Sequence, residues 1–307
     1  MKIAVMGTGG TGGYYGGLLA THGHEVSFIA RGAHLEAIRQ SGLQVTSVHG
    51  DFVVRPAIAT DDPAQLGQMD LVLLCTKTYD TELAAQAIRP AIGPQTAILS
   101  LQNGIDAAER IGRILGAEHM LAGATWISSS VESPGVIRQI SQFRRVVLGE
   151  LDGRVTARAK AVQRAFQEAG VTSEVTEQIL KVLWTKFVFI CPASAFGSLT
   201  RLPLGDFRSV PETRASIISL MQEVHAVSEA HGVRLDPDVV EQSLKFLDDA
   251  APHIKPSMQL DVEAGRLTEL ESMIGVVGRK GRAVGVPTPI ADLAYAALLP
   301  VELRARN

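Results

Sequence analysis

The sequence predicts an α/β domain at the N-terminus followed by an all-α domain, and two patterns support this division. Up to about residue 176, short apolar runs typical of buried parallel strands alternate with helical segments, as they do in doubly wound sheets. After Thr176 the strand pattern stops, and segments with helical periodicity fill the rest of the chain. We therefore expect two domains, residues 1–176 and residues 177–307, joined without a low-complexity linker.

A glycine-rich stretch separates the first predicted strand from the first predicted helix. The strand covers residues 2–6, and a second strand-like run covers residues 25–30. In a βαβ unit of this length, the glycines allow a tight turn, a close approach of a pyrophosphate to the backbone, and close packing of helix on strand. The alternative is a glycine-rich turn that binds no ligand. The context favours a Rossmann-type dinucleotide-binding site formed by Gly7, Thr8, Gly9, Gly10, Thr11 and Gly12.

Arg31 stands at the end of the second predicted strand. NAD-binding domains usually carry Asp or Glu in this region, where the carboxylate holds the ribose 2′-hydroxyl. The guanidinium of Arg31 instead offers a planar fork that suits a phosphate. A solvated arginine at a strand end is the alternative interpretation. The sequence thus favours NADPH over NADH as the cofactor.

The remaining elements of the α/β domain follow in the order expected of a doubly wound sheet. The predicted helices cover residues 33–40, 81–89, 107–115 and 155–169. The predicted strands cover residues 43–48, 52–55, 71–75, 96–101, 121–128, 136–140, 145–150 and 171–175. A hairpin is expected between the first two of these strands, and a turn at residues 133–135 between the fifth and sixth. Lys77 and Asn103 each follow a strand, at the edge where such sheets bind ligands, so both are candidate cofactor contacts, although each alone could be a turn residue.

The all-α domain is expected to supply the chemistry. Its predicted helices cover residues 177–199, 211–231, 237–250, 257–265, 268–284 and 290–304. Lys186 lies in a strongly apolar part of the first helix, where partial burial lowers the pKa of a lysine and lets it give a proton to an oxygen that becomes negative. A lysine that extends from the helix into water is an equally compatible interpretation. Their spacing places Ser257 and Asp261 on one helix face. Glu269 stands at the start of a predicted helix, and spacing alone favours helix-terminus stabilisation over catalysis as the role of its carboxylate.

Composition argues against several other classes of protein. The formal net charge of −3 has both signs scattered, so we expect no nucleic-acid partner, and no apolar run reaches the length of a membrane span. Because the chain begins at once with a strand, no signal peptide is expected, and we predict a cytoplasmic protein. Cys75 and Cys191 are expected to be free thiols. The eight histidines lack the spacing of metal ligands, so no metal site is expected.

Several stretches together resemble the ketopantoate reductase (2-dehydropantoate 2-reductase) family, over essentially the whole chain. They are residues 7–12, Thr76-Lys77, Gln102-Asn103-Gly104, Trp184-Thr185-Lys186, residues 256–261, residues 267–269 and residues 285–289. This resemblance implies NADPH-dependent reduction of a 2-oxo acid, most simply ketopantoate to pantoate in pantothenate biosynthesis, in a cleft between the two domains.

The resemblance also implies roles for individual residues. Lys186 would be the catalytic general acid and Glu269 its companion carboxylate. Asn103 and Lys77 would contact the nicotinamide half of the cofactor, with Asn103 also near the substrate, and Arg31 would bind the 2′-phosphate. Ser257 would contact the substrate.

Three positions depart from the family pattern. Ile190 and Ser194 stand where family members typically carry asparagines that grip the substrate, with Pro192 between them, and Ile274 replaces another asparagine. Ser194 is then the candidate substrate contact. An isoleucine cannot hydrogen-bond a hydroxyl, so a reductase of a different, more apolar 2-oxo acid is one alternative.

Two further questions stay open at this point. A non-catalytic NADP(H)-sensing regulator is the second alternative, but such a protein would not need Lys186 and Glu269. The helices after Thr176 carry enough apolar surface for a homodimer interface, and the sequence is equally compatible with a monomer.

Overall fold

An eight-stranded sheet forms the centre of the first of two units in the computed structural model, which describes residues 1–306. This unit comprises residues 1–102 and 107–179. Its strands are β1 (Lys2–Met6), β2 (Glu25–Ile29), β3 (Leu43–Ser47), β4 (Phe52–Val54), β5 (Ile58–Thr60), β6 (Leu71–Leu74), β7 (Ala97–Ser100), β8 (Met120–Trp126), β9 (Ser129–Ser133), β10 (Val136–Gln139), β11 (Arg145–Glu150) and β12 (Thr172–Val175). Its helices are α1 (Gly10–Thr21), α2 (Gly32–Ser41), α3 (Thr81–Ile88), α4 (Ala107–Leu115) and α5 (Ala157–Glu168).

The strand order of the large sheet is β12-β11-β8-β7-β6-β1-β2-β5. The six strands from β8 to β5 in this order are parallel, whereas β11 runs antiparallel to β8 and parallel to β12. Parallel strands connected by helices place their carboxyl ends, and the loops that follow, at one edge of the sheet. The prediction of a Rossmann-type α/β domain is confirmed.

Apolar side chains cover both faces of the central strands. Along β6, Leu71 and Leu73 pack in one core cluster and Val72 and Leu74 in another, because successive side chains of a strand point to opposite faces. Each of these four side chains is fully shielded from solvent. This burial explains why β6 is recognisable in the sequence as a continuous apolar run.

A second, four-stranded sheet has the order β4-β3-β10-β9. The predicted hairpin is confirmed, since β3 and β4 pair antiparallel. Two strands were not predicted, β5 and β9. The turn at residues 133–135 therefore connects β9 to β10, and the expectation that it joins the strand at 121–128 to β10 was wrong. β9 carries three serines and is mostly exposed, so it lacks the hydrophobic pattern that marks a strand, and β5 has only three residues at the sheet edge.

The second unit is helical and comprises residues 103–106 and the chain from residue 180 onward. Its helices are α6 (Ile179–Thr200), α7 (Leu204–Arg208), α8 (Pro211–Ala230), α9 (Val239–Asp249), α10 (Ser257–Glu263), α11 (Val276–Val284) and α12 (Pro289–Arg306). The predicted division at residue 176 assigned residues 103–106 to the first domain, whereas in the structure they belong to the helical unit. By length and composition α6 is apolar enough to cross a membrane, but 56% of the apolar window is buried, as in the core helix of a globular unit.

The helical unit differs from its prediction in two places. The short helix α7 was not predicted. The helix predicted over residues 268–284 is present from residue 270, but Glu271–Gly275 forms a π-helical turn inside it, before α11 begins. Single π turns inside helices occur frequently at functional sites, and this one starts two residues after Glu269.

Two adjacent tyrosines of α1 are buried with different hydrogen bonding. The Tyr15 hydroxyl lies 2.7 Å from Thr125 Oγ1 of β8, and its ring contacts Phe166 edge-to-face at 5.6 Å between centroids. Tyr14 is equally buried, but its hydroxyl has no hydrogen-bond partner among the described residues. Tyr15 therefore fixes the glycine-rich helix α1 to the sheet, whereas the Tyr14 hydroxyl only fills space.

We expect Tyr15→Phe to lower the free energy of unfolding by about 1–2 kcal/mol, because Thr125 then loses a buried partner. Tyr14→Phe is the matched control. It should leave the stability unchanged or raise it slightly, because a buried hydroxyl without a partner is itself unfavourable. Urea unfolding followed by circular dichroism measures both, and equal losses in the two variants would contradict this assignment.

Candidate active site

Three glycines shape the turn between β1 and α1, each in a different way. Gly7 has a φ of +97°, and a Cβ there would lie 2.7 Å from the backbone nitrogen of Thr76. A Cβ on Gly12 would lie 2.2 Å from the carbonyl oxygen of Gly7, so only glycine allows this approach of helix to turn. Around Gly9, by contrast, a Cβ would meet nothing within 4 Å. The open space at the second glycine fits a pyrophosphate that approaches the backbone.

The other predicted residues of this turn are close to the start of α1. Thr8 is buried, and both its backbone nitrogen and its Oγ1 donate to the carbonyl oxygen of Ile29, at 3.1 and 3.0 Å. These bonds fasten the turn to the end of β2. Gly10 and Thr11 are the first residues of α1, where free backbone N–H groups and the helix dipole favour an anion.

The two cationic candidates of the first unit follow strands of the large sheet. Arg31 is exposed and lies two residues after β2, in extended backbone just before α2. Lys77 is half-buried and follows β6, also in extended backbone. Both therefore lie at the carboxyl edge of the sheet, the edge that also carries the glycine turn.

Gln102 is a site residue that the sequence showed only as part of a motif. Its Nε2 donates to the carbonyl oxygen of Thr76 and to Thr81 Oγ1, each at 2.9 Å, and its Oε1 accepts from Ser100 Oγ at 3.3 Å. A buried glutamine at a strand end is the signal that could have identified it. Through these bonds Gln102, the residue directly before Asn103, is fixed to Thr76, the residue directly before Lys77, and to Thr81.

Lys186 and Asn103 contact each other although 83 residues separate them in the chain. The Lys186 Nζ donates to Asn103 Oδ1 at 3.1 Å. Burial lowers the pKa of Lys186 to about 8, and the nearby negative charge of Glu269 opposes that shift. The structure thus brings together three predicted residues, Lys186, Asn103 and Glu269, all in the helical unit.

The backbone around Glu269 is held on both sides. Before it, the backbone nitrogen and Oγ1 of Thr268 donate to the buried carboxylate of Glu302, at 2.9 and 2.7 Å. After it, the backbone nitrogens of Ser272 and Met273 donate to the carbonyl oxygen of Glu269, at 3.1 and 2.8 Å. Glu269 itself is only 5% exposed. It belongs to the interior of the unit, not to an exposed helix start of the kind that spacing alone suggested.

The predicted substrate contacts occupy different environments. Ser194 is buried on α6, on the helix face that also carries Ile190 and Lys186. Ser257 is exposed and is the first residue of α10. Ile274 is fully buried and packs in the core of the helical unit. Of the two isoleucines that depart from the family pattern, only Ile190 therefore shares the Lys186 face of α6.

Comparison with known proteins identifies relatives along nearly the whole chain. The family model "Ketopantoate reductase PanE/ApbA" matches residues 3–153, and the model "Ketopantoate reductase PanE/ApbA C terminal" matches residues 178–302. A curated 2-dehydropantoate 2-reductase of Mesorhizobium japonicum is 30% identical, and the alignment covers 96% of each chain.

Solved structures of similar proteins agree with these matches. The crystal structure of a PanE/ApbA family ketopantoate reductase from Ralstonia eutropha superposes with a TM-score of 0.92 at 31% identity, with 100% of each chain covered. A structure of D-mandelate dehydrogenase with NADH gives a TM-score of 0.88 at 25% identity, covering 98% of this chain and 99% of the other.

We expect the Lys186 ammonium to titrate with a pKa of about 8, well below the ordinary lysine value of about 10.4. Glu269→Gln should lower this pKa further, because the charge that favours the protonated form is removed. NMR of ¹³C-methylated lysines across a pH series measures both values, with Lys186→Arg used to assign the signal. A midpoint at the ordinary lysine value, or a rise of the pKa in Glu269→Gln, would refute this account.

Proposed function

Since the chain belongs to the ketopantoate reductase family, we propose that it reduces a 2-oxo acid to the 2-hydroxy acid with NADPH. The proposed substrate is 2-dehydropantoate (ketopantoate) and the product pantoate, a step of pantothenate biosynthesis in the cytoplasm. The observation that carries the proposal is the lysine of lowered pKa, Lys186, bonded to Asn103 beside the charge of Glu269. The Mesorhizobium japonicum relative, named a 2-dehydropantoate 2-reductase, supports this substrate.

Lys186 acts as the general acid in this reaction. When the ketone is reduced, negative charge develops on its oxygen, which must be stabilised and then protonated. The ammonium of Lys186 does both, a contribution of about 10²–10⁴-fold for such a group. A pKa of about 8 keeps Lys186 mostly protonated at neutral pH, yet makes it a stronger acid than an ordinary lysine.

Two neighbouring groups, Asn103 and Glu269, orient the Lys186 side chain and favour its protonated form. Asn103 Oδ1 accepts a hydrogen bond from Nζ and so fixes the direction of the lysine. The charge of Glu269 keeps a larger share of the lysine protonated than burial alone would allow. Ser257 and Ser194 are proposed to hydrogen-bond the polar groups of the substrate.

The first unit is proposed to hold NADPH, which supplies the hydride for the ketone carbon when bound. Its pyrophosphate would lie against the glycine turn at Gly9, where the backbone is open. Arg31, exposed at the end of β2, would bind the 2′-phosphate through its guanidinium. Lys77 and Asn103 would lie toward the nicotinamide half.

A more apolar 2-oxo acid is the second candidate substrate, and Ile190 favours it. This isoleucine lies between Lys186 and Ser194 on one face of α6 and offers no hydrogen bond to a substrate hydroxyl. The similarity to a D-mandelate dehydrogenase points the same way, since mandelate is a 2-hydroxy acid with an aromatic substituent.

Oxidation of NADPH by the purified protein, with ketopantoate beside a panel of other 2-oxo acids, tests the proposal. A kcat/KM for ketopantoate orders of magnitude above the others would support the first candidate. A preference for branched or aromatic acids would support the second. No turnover on any 2-oxo acid, with NADPH still bound, would overturn both and favour a sensor.

In the same assay, Lys186→Ala should lower kcat by about 10²–10⁴-fold and leave the NADPH dissociation constant within about threefold. Lys181→Ala is the matched control on the same helix, since Lys181 pairs with Asp236 at 2.6 Å. A Lys186→Ala enzyme with the kcat of the control would exclude this general acid.

For the wild type, kcat/KM should fall about tenfold per pH unit above pH 8, because the acid form of Lys186 is lost there.

Arg31→Ala tests the choice of cofactor. The dissociation constant for NADPH should rise by about 10–100-fold, the effect of losing charge-assisted hydrogen bonds to a phosphate, whereas that for NADH should change little. Arg113→Ala, which removes an exposed arginine paired with Glu109, is the control. Equal weakening of both cofactors would contradict a role at the 2′-phosphate.

A further inference from the structure

His34 of α2 makes hydrogen bonds through both of its ring nitrogens. Nε2 lies 2.8 Å from the carbonyl oxygen of Thr8, and Nδ1 lies 3.0 Å from the backbone nitrogen of Gly135. A carbonyl can only accept and a backbone N–H can only donate, so the proton must be on Nε2 and Nδ1 must be bare. The two partners thus select one neutral tautomer of His34.

One of these partners belongs to the glycine turn. The carbonyl of Thr8 and the N–H of Gly9 form one peptide group, which is planar and trans, so they point in opposite directions. A hydrogen bond that holds the Thr8 oxygen on one side therefore aims the Gly9 N–H toward the other. Gly9 is the residue of the turn with open space around it, where an approaching pyrophosphate is expected.

The other partner connects His34 to the second sheet. Gly135 has a φ of +79° in the turn between β9 and β10, and a Cβ there would lie 2.9 Å from the Cβ of Ala37 in α2. The β9 strand also reaches the start of α1, because a Cβ on Gly10 would lie 2.3 Å from the carbonyl oxygen of Ser129. The hairpin of β9 and β10 thus supports both the position of His34 and the first turn of α1.

We propose that His34 is a positioning residue of the dinucleotide site. It orients the Thr8–Gly9 peptide group so that the Gly9 N–H donates to the pyrophosphate. The N–H of Gly135 donates to Nδ1 and so keeps the proton of the ring on Nε2, where it can bond the Thr8 oxygen. His34 is half-buried. Its role is exerted through the backbone of the turn, without contact to the ligand. The inference takes its ligand from the proposed function, but it concerns cofactor binding alone.

Two amide substitutions separate the two hydrogen bonds of His34. The amide of a glutamine reaches the position of Nε2 and can donate to Thr8, whereas the shorter amide of an asparagine reaches only the position of Nδ1 and can accept from Gly135. We expect His34→Asn to raise the dissociation constant of the dinucleotide about 3–10-fold, the effect of one lost hydrogen bond. His34→Gln should stay within about twofold of the wild type. His49→Asn, at an exposed histidine of the same unit, is the matched control.

Binding is measured by titration calorimetry with NADPH or NADH, whichever the wild type binds more tightly. No 2-oxo acid is added, so the result does not depend on whether the protein turns over such a substrate. Steady-state kinetics then provides a second readout, because a positioning role predicts a higher KM for the cofactor and an unchanged kcat in His34→Asn. Equal affinities of His34→Asn and wild type, or a loss in His34→Gln as large as in His34→Asn, would overturn the proposal.

Discussion

The balance of forces on the Lys186 ammonium is the constraint on which the rest of the candidate site depends. Burial in an apolar helix disfavours the charged form, and the carboxylate of Glu269 favours it. Without Glu269, burial would lower the pKa of Lys186 further and reduce the share of the lysine that carries a proton, whereas a fully solvated lysine would be a weaker acid. The apolar sequence of α6 and the interior position of Glu269 therefore act on the pKa of Lys186 in opposite directions.

A four-residue segment that follows the large sheet in sequence supplies the hydrogen-bond partner of Lys186. Residues 103–106 follow β7 of the large sheet, yet they belong to the helical unit, where Asn103 accepts from Lys186. The chain passes from one unit to the other directly after Gln102, whose amide is fixed to Thr76 and Thr81. Gln102, which is anchored on the strand ends, thus directly precedes in the chain the residue that contacts Lys186.

Local patterns explain what the sequence could predict. The β1–glycine–α1 unit and the apolar strand β6 carry their signals within a few residues, and both the fold class and the family are confirmed. β9 was missed because its exposed serines carry no such signal. The resemblance named Lys186 and Asn103 as separate site residues, but their contact was not predicted, since no periodicity relates residues 83 positions apart. His34 gave no signal, because its two partners are backbone atoms of distant turns.

The two isoleucines that the resemblance places at asparagine positions of the family lie in different surroundings. Ile274 is part of the core, where it packs against other apolar side chains. Ile190 shares the face of Lys186 and Ser194, and its side chain offers no hydrogen-bonding group on that face of α6. A site that must hydrogen-bond a substrate hydroxyl rejects analogues without it by about 10⁴–10⁵-fold, whereas an apolar surface discriminates by only about 10²-fold. In the proposed site, Ser194, Ser257 and Asn103 are the candidate hydrogen-bond partners of a substrate hydroxyl, and the apolar Ile190 on the same helix face as Lys186 favours a broader substrate range.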